Sequence, residues 1–249
     1  MKFTKGETIV SLEKLWFLQK RHAARYASTQ PPKPSNPSHD LEELVVKPVL
    51  NSLQQHALEN PDRFSFYTSV PEGDARFDLV RSLVWADVKN YTGPDDFITR
   101  HANLFAPPTP STLGLSRPSL TLHHLPLEAN VAIPTSTFLQ LMQPLYDIPE
   151  HEWNPTDLKA RIDSILEKGI EGTIEEMKKE NESLDPVGLR SGLKKSWSAL
   201  VHSYIRWAIV AGLPGLESGK VMMILGRSES LKRLEVARDA LQVVERKMK

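Results

Sequence analysis

Asn154-Pro155-Thr156-Asp157-Leu158-Lys159-Ala160-Arg161-Ile162 opens the stretch that decides the fold. Asparagine suits a helix N-cap, proline suits the first turn, and Asp157 meets the positive end of the helix dipole. From there Leu158, Ile162, Ile165, Leu166, Ile170, Ile174 and Met177 recur at helical spacing, and the pattern predicts a helix to about Glu182. Gly169 and Gly172 weaken its middle by propensity. On the N-terminal side Thr135 is placed to cap a helix through Phe138, Leu141, Met142 and Tyr146. On the C-terminal side the pattern predicts a long helix over about 189–211, stopped by Gly212 and Pro214, then helices over about 219–225 and 229–247.

The upstream half is also helical but more broken. Apolar positions at Leu12, Leu15, Trp16, Leu18, Ala23 and Tyr26 predict a helix over 12–27. Four prolines between Gln30 and Pro37 make a loop over about 29–39. Asp40 and Glu43 are placed as a capping box for a helix from Leu41 to about Leu58, with Leu44, Val45, Val49, Leu50 and Leu53 on its apolar face. Residues 76–91 predict a helix with Phe77, Val80, Leu83, Val84 and Val88 on one side; Gly93-Pro94 breaks it, and a short helix follows from Asp95 to Phe105. Residues 106–134 hold six prolines and His123-His124, and predict an irregular connector. No alternating strand pattern of any length occurs. The expectation is a mainly α chain with a helical region at 1–105, a Pro-rich connector at 106–134 and a helical domain at 135–249.

Composition bounds the function. The 249 residues are 40% hydrophobic and 25% charged, as in an ordinary globular protein, with 31 basic against 31 acidic residues. The balance is uneven along the chain: Leu189–Lys249 holds 12 Lys/Arg against 5 Asp/Glu. A basic end points to an anionic partner, although a solvated helical surface with surplus lysine reads the same way. The absence of cysteine excludes disulfides and thiolate zinc sites. No apolar run approaches membrane-spanning length, so no membrane partner is expected. The basic, amphipathic segment Lys14–Arg25 has the look of a transit peptide, but Glu7 and Glu13 favour a folded helix instead.

Three chemical signatures fail on inspection. Gly215-Leu-Glu-Ser-Gly219-Lys220-Val221 resembles a phosphate-binding loop, but Pro214 stands where the first glycine is needed and Val221 where Ser or Thr is needed. His151-Glu152-Trp-Asn-Pro155 begins like a zinc-protease helix, but the second histidine is missing and Pro155 interrupts the helix. No Gly-x-Ser-x-Gly elbow occurs. The histidines show no ligand spacing, and no catalytic residue or metal ligand is assigned.

Tyr204-Ile205-Arg206-Trp207-Ala208-Ile209-Val210-Ala211-Gly212, then Gly219-Lys220, Val221-Met-Met-Ile-Leu225-Gly226-Arg227 and Leu231-Lys232-Arg233-Leu234, follow one another in an order that resembles the bacterial- and mitochondrial-type glutamyl-tRNA synthetases of class I. That family shows apolar–Arg–x–Ala–apolar with a following glycine, then Gly-Pro, an apolar helix, Leu-Gly-Arg/Lys and an Arg-Leu pair. Weaker matches lie upstream at Lys14-Leu15-Trp16-Phe17-Leu18 and at Asp96-Phe97-Ile98-Thr-Arg100 with Asn103-Leu104-Phe105-Ala-Pro107-Pro108. Three departures stand out. Lys220 replaces the usual proline, and Asp87 lies near an expected arginine. The ATP-binding signatures of the family, His-x-Gly-His/Asn and Lys-Met/Leu-Ser-Lys/Arg, are absent; Leu115-Ser116-Arg117 comes nearest.

The resemblance implies a helical bundle like the family's α-helix-cage anticodon-binding domain, preceded by a stem-contact-like region. It implies tRNA(Glu) as partner, and Arg206, Lys220, Arg227, Lys232 and Arg233 as tRNA-binding candidates. It implies a mitochondrial matrix location, with the cytoplasm as the alternative. ATP and Mg would belong to a catalytic half outside this chain, which needs no cofactor of its own and is expected to be inactive alone. DNA is not an expected partner. The chain is then a gene-model fragment, an excised domain or one piece of a split enzyme. The alternative is a stand-alone, non-catalytic RNA- or ribonucleoprotein-binding structural protein derived from the synthetase.

For each candidate a structural role competes. Arg206 reads a base edge or pairs between helices. Arg227 contacts phosphate or caps a helix C-terminus. Of Lys232 and Arg233, adjacent at a helix start, one faces solvent and the other the interior. The five tryptophans at 16, 85, 153, 197 and 207 read as core rather than as base-stacking platforms.

Overall fold

The computed structural model describes Leu18 and residues 41–123, 130–180 and 185–248; for 180, 186, 187 and 244–248 it describes the main chain alone. The expected helix over 12–27 (apart from Leu18, which is helical and exposed), the loop at 29–39, the Asp40 cap and His124 lie outside the described residues. The described chain is mainly α. It divides after Ala106 into two units.

In the first unit a π-helical turn at Glu42–Val46 runs into α1 (Lys47–Glu59). Val45, Val46, Val49, Leu53 and Ala57 fall on one side and are buried. A 3-10 turn (Pro61–Phe64), α2 (Ser65–Ser69), α3 (Asp74–Asp87), a second 3-10 turn (Val88–Asn90), α4 (Pro94–Arg100) and α5 (Ala102–Phe105) follow. Helix α1 packs on α3 and α4. Phe105 closes the core edge-on to Tyr67, with ring centroids 6.2 Å apart. The elements over 61–69 were not expected, because they are too short to show a period.

The single helix predicted over 95–105 is broken at His101, whose φ of −104° and ψ of 11° leave the helical region. His101 turns inward, 4% exposed, and its Nε2 lies 2.9 Å from Asp87 Oδ2. Asp87 also accepts hydrogen bonds from Asn90 Nδ2 at 2.6 Å and Arg100 Nη1 at 3.3 Å. The aspartate that stands near an expected arginine is therefore a buried structural node.

In the second unit α6 (Pro110–Leu115) and a two-stranded antiparallel pair, β1 (Thr121–Leu122) with β2 (Val131–Ala132), lie within the Pro-rich stretch. They pack on the unit's helices: β1 contacts the long helix over 186–210, and Trp207 Nε1 donates to Leu113 O at 3.0 Å. The described residues after Ala106 in the stretch read as a connector thus belong to the second unit. Helix α7 (Thr135–Tyr146) begins after Pro134 at its N-cap; Thr135 lies inside the first turn and makes no cap bond, correcting the expected cap. Helix α8 (Pro155–Glu180) starts as predicted, with Asn154 Oδ1 accepting from the N–H groups of Thr156 and Asp157. Its face of Leu158, Ile162, Ile165, Leu166, Ile170 and Ile174 is buried. Each such side chain contributes about 1.5–3 kcal/mol. Helix α9 (Pro186–Val210) packs between α8 and α10 (Ser218–Met248).

The two helices predicted over 219–225 and 229–247 are found: within Ser218–Met248 the backbone leaves the helical region at Gly226, which separates them. Its φ of 76° lies in the left-handed region that glycine enters without strain. Ser230 Oγ spans the kink to Met222 O at 3.1 Å, satisfying a carbonyl that the broken ladder leaves open.

Gly169, expected only to weaken α8, is a contact glycine. A Cβ there would sit 2.8 Å from the Trp197 ring. That ring is fixed by a bond from its Nε1 to Thr173 Oγ1 at 3.1 Å, and Thr173 in turn donates to Gly169 O. Gly169→Ala is expected to destabilise by about 1–3 kcal/mol through overpacking. Gly172→Ala, with nothing within 4 Å of the new methyl, is expected to stabilise by about 0.5–1 kcal/mol. Thermal melts of the two variants check this; equal effects would remove the Trp197 contact as the reason for glycine.

Burial lowers the His101 pKa below its usual value, outweighing the attraction of Asp87. The folded unit therefore keeps His101 neutral where the unfolded chain, with a histidine pKa near ~6.5, takes up a proton. This stability is full above about pH 6.5 and declines as pH falls toward the folded pKa. In denaturant titrations the first unit is expected to weaken below about pH 6.5, with a shallower dependence in His101→Gln. Matching slopes for the two proteins would sink the assignment.

Candidate nucleic-acid interface

The segments that resemble the synthetase meet where α9 ends and α10 begins. The chain turns there through Ala211 and Gly212, with φ of 54° and 79°. A helix C-terminus leaves carbonyls unpaired, and cations are the natural partners for them. Arg206 supplies two bonds, Nη1 to Leu213 O at 3.1 Å and Nη2 to Leu216 O at 3.0 Å. Arg233 supplies another, Nη1 to Ile209 O at 2.9 Å. Ser116 Oγ donates to Ala211 O at 2.9 Å.

Arg233 is 1% exposed, and its Nε donates to Glu229 Oε1 at 2.7 Å. Burial lowers its pKa, opposed by Glu229 one turn before it. Lys232, its neighbour, is exposed. The adjacent pair thus splits between solvent and interior, as helical geometry requires.

Arg227 follows the kink glycine and reaches back, its Nε donating to Ile148 O at 2.7 Å and its Nη1 lying 3.8 Å from Glu150. It ties the segment after α7 to α10 rather than capping its own helix. Lys220 is exposed, 3.6 Å from Glu217 on the preceding turn. The five candidates therefore separate by environment. Arg206, Arg227 and Arg233 spend guanidinium N–H groups on main-chain carbonyls, whereas Lys220 and Lys232 present ammonium groups to solvent.

Of the tryptophans, Trp197 and Trp207 are buried at 2% exposure, Trp85 and Trp153 are half-buried, and Trp16 lies outside the described residues.

A second set of cations was missed by sequence reading. Helix α9 contains Arg190, Lys194, Lys195 and Arg206 and no acidic residue. Lys194, Lys195, His202 and Ser203 are exposed on it. Arg190 is bonded to Glu167 across to α8, while no described carboxylate pairs with Lys194 or Lys195. The signal was legible: from Pro186 to Leu216 the sequence has no Asp or Glu.

Among the described residues no group of three or more His, Asp or Glu could hold a metal ion, and no helix is long and apolar enough to cross a membrane. Compared with protein-family models, with curated proteins and with solved structures, the chain matches none.

The environments predict distinct variants. Arg233→Ala removes a buried guanidinium with its bonds to Glu229 and Ile209 O and is expected to cost on the order of 3 kcal/mol. Arg206→Ala removes two charge-assisted bonds and is expected to cost roughly 2–3 kcal/mol. Lys232→Ala is expected to stay within about 0.5 kcal/mol of wild type. Chemical denaturation ranks the three; an Arg206→Ala protein as stable as wild type would return Arg206 to the surface candidates.

Proposed function

We propose that the chain is the tRNA-binding, C-terminal part of a mitochondrial-type glutamate–tRNA ligase, with tRNA(Glu) as its partner and the catalytic half elsewhere. The observation that carries this reading is the acid-free helix α9, which presents Lys194, Lys195 and His202 to solvent. An unbalanced cationic helix on a chain of zero net charge is an electrostatic footprint for a polyanion. Two further points support it. The helix lies in the half of the chain whose motifs resemble the synthetase. Lys220 and Lys232, exposed within those motifs, add cationic groups to the same unit.

The structural use of Arg206, Arg227 and Arg233 is compatible with this reading. Residues that fix helix crossings persist as a motif when the fold persists, whatever the surface binds. In this reading their part is to hold the cage. Phosphate contact falls to the lysines, and anticodon reading to groups that the unit's surface offers to unstacked bases. ATP and Mg belong to the catalytic half and glutamate activation with them, the location being the mitochondrial matrix.

The test is a titration of the chain with tRNA(Glu) and non-cognate transcripts over a salt series. Binding is expected to weaken steeply with salt as counterions are released. Lys232→Ala is expected to reduce the log–log slope by about one for every tRNA, because a phosphate contact carries no sequence information. Affinity unchanged from low to high salt would overturn the proposal.

A further inference from the structure

On the second unit a cleft of about 440 Å³ runs between the segment Pro118–His123 and the outward face of α9. Its size lies within the range of ligand clefts, roughly 300–1,000 Å³. Ser119, Thr121 and His123 line one wall and Lys195 and Ser203 the other, with Leu200 among them. Among the described residues no carboxylate lines it. Both walls are anchored. Ser196 Oγ donates to the His123 carbonyl, joining α9 to the segment. The segment pairs with β2, and Ile133 N donates to Leu120 O at 2.7 Å. Ser119 and Thr121 hydroxyls lie 2.8 Å apart on one side of it, and His123 Nδ1 lies 3.0 Å from Asn130 Oδ1.

We propose that this cleft seats the sugar–phosphate backbone of an RNA strand. The inference rests on the tRNA-binding reading and names the surface that carries it. Three features select this ligand. The lining combines one ammonium group with an imidazole and four hydroxyls, of which that of Ser196 is already bonded to the His123 carbonyl; these are the donor types that contact phosphate and ribose oxygens. Lys195 has no carboxylate partner among the described residues, so phosphate contact requires no ion pair to be broken. Lys194, exposed on the same acid-free helix, extends the positive surface beyond the cleft, which suits a continuing polyanion better than a small isolated anion. Among the described lining residues there is no Phe, Tyr or Trp, and the polar groups outnumber the single imidazole ring, which favours backbone over stacked bases as the occupant.

The experiment uses the full chain and a tRNA(Glu) transcript, with affinity measured over a salt series and thermal melts run alongside. Lys195→Ala is expected to lower the log–log salt slope by about one, with Lys195→Arg restoring it. Ser203→Glu, which places a carboxylate inside the cleft, is expected to weaken binding further than Lys195→Ala. Lys159→Ala removes an exposed lysine on α8 outside the cleft and is expected to leave the slope unchanged. All three positions are surface positions, so the melts of the four variants are expected to match wild type. Wild-type binding that is salt-dependent but indifferent to Lys195→Ala and Ser203→Glu would overturn the cleft and leave the tRNA reading standing. A slope lowered equally by Lys159→Ala would overturn the cleft in favour of diffuse charge. Failure of the wild-type chain to bind the transcript at any salt would overturn both.

Discussion

The buried guanidinium of Arg233 is the constraint on which the second unit depends. A charge taken out of water survives only with partners for its N–H groups. Here those partners are a carboxylate on its own helix, Glu229, and a carbonyl at the end of another, Ile209. The first bond fixes the rotamer and the second fixes how α10 crosses the end of α9. Everything after the turn inherits that placement. Gly226 must then bend the run, since helical φ and ψ there would carry the following segment off the crossing. Arg206 must hold Leu213 and Leu216, because the turn has no regular ladder of its own.

This arrangement explains why the most specific motif in the sequence was a poor guide to the surface. Arg206, Gly212 and Arg233 meet at one packed corner, where both guanidinium groups bond to main-chain carbonyls. The cations at the surface are lysines: Lys220 and Lys232 within the motif segments, Lys194 and Lys195 outside them. Lysine fits that position physically: its compact, strongly hydrated charge costs little to leave in solvent, whereas the planar fork of arginine is suited to buried carbonyls.

Much of the fold was legible, for definite reasons. Helix α8 was read nearly to the residue at its start, because the Asn154 cap and an unbroken apolar period both lie in the local sequence. The break at Gly226 was legible as two helices, because Leu225-Gly226 ends one apolar period and a second begins after it. The break at His101 was not readable, since it is set by Asp87, distant in sequence. The short helices over 61–69 and 110–115 and the two-residue strands gave no period to detect. Gly169 was misjudged for the same reason: propensity sees a helix interior, and only the packed Trp197 ring shows why a methyl group is excluded. At the candidate site, sequence identified basic residues but could not sort them, because burial sorts them. The acid-free run over Pro186–Leu216 was visible and more informative than the motif inside it.

On the proposed tRNA-binding reading, the sorting also limits how the unit would recognise RNA. For Arg206 to reach a base edge it must release Leu213 O and Leu216 O, and each charge-assisted bond to a carbonyl is worth about 1.5–3 kcal/mol. A base-reading arginine returns roughly 1–3 kcal/mol of discrimination. The exchange therefore gives no net gain unless the loop finds new donors in the complex. Lysines on α9 face no such exchange, since they leave only water. Association driven by them is fast, steeply dependent on salt and indifferent to sequence. On that reading such a surface would hold an RNA in register without choosing it. Discrimination would then come from rigid groups displayed at the right distance from the held backbone, and the corner built on Arg206 and Arg233 is the rigid part of this unit.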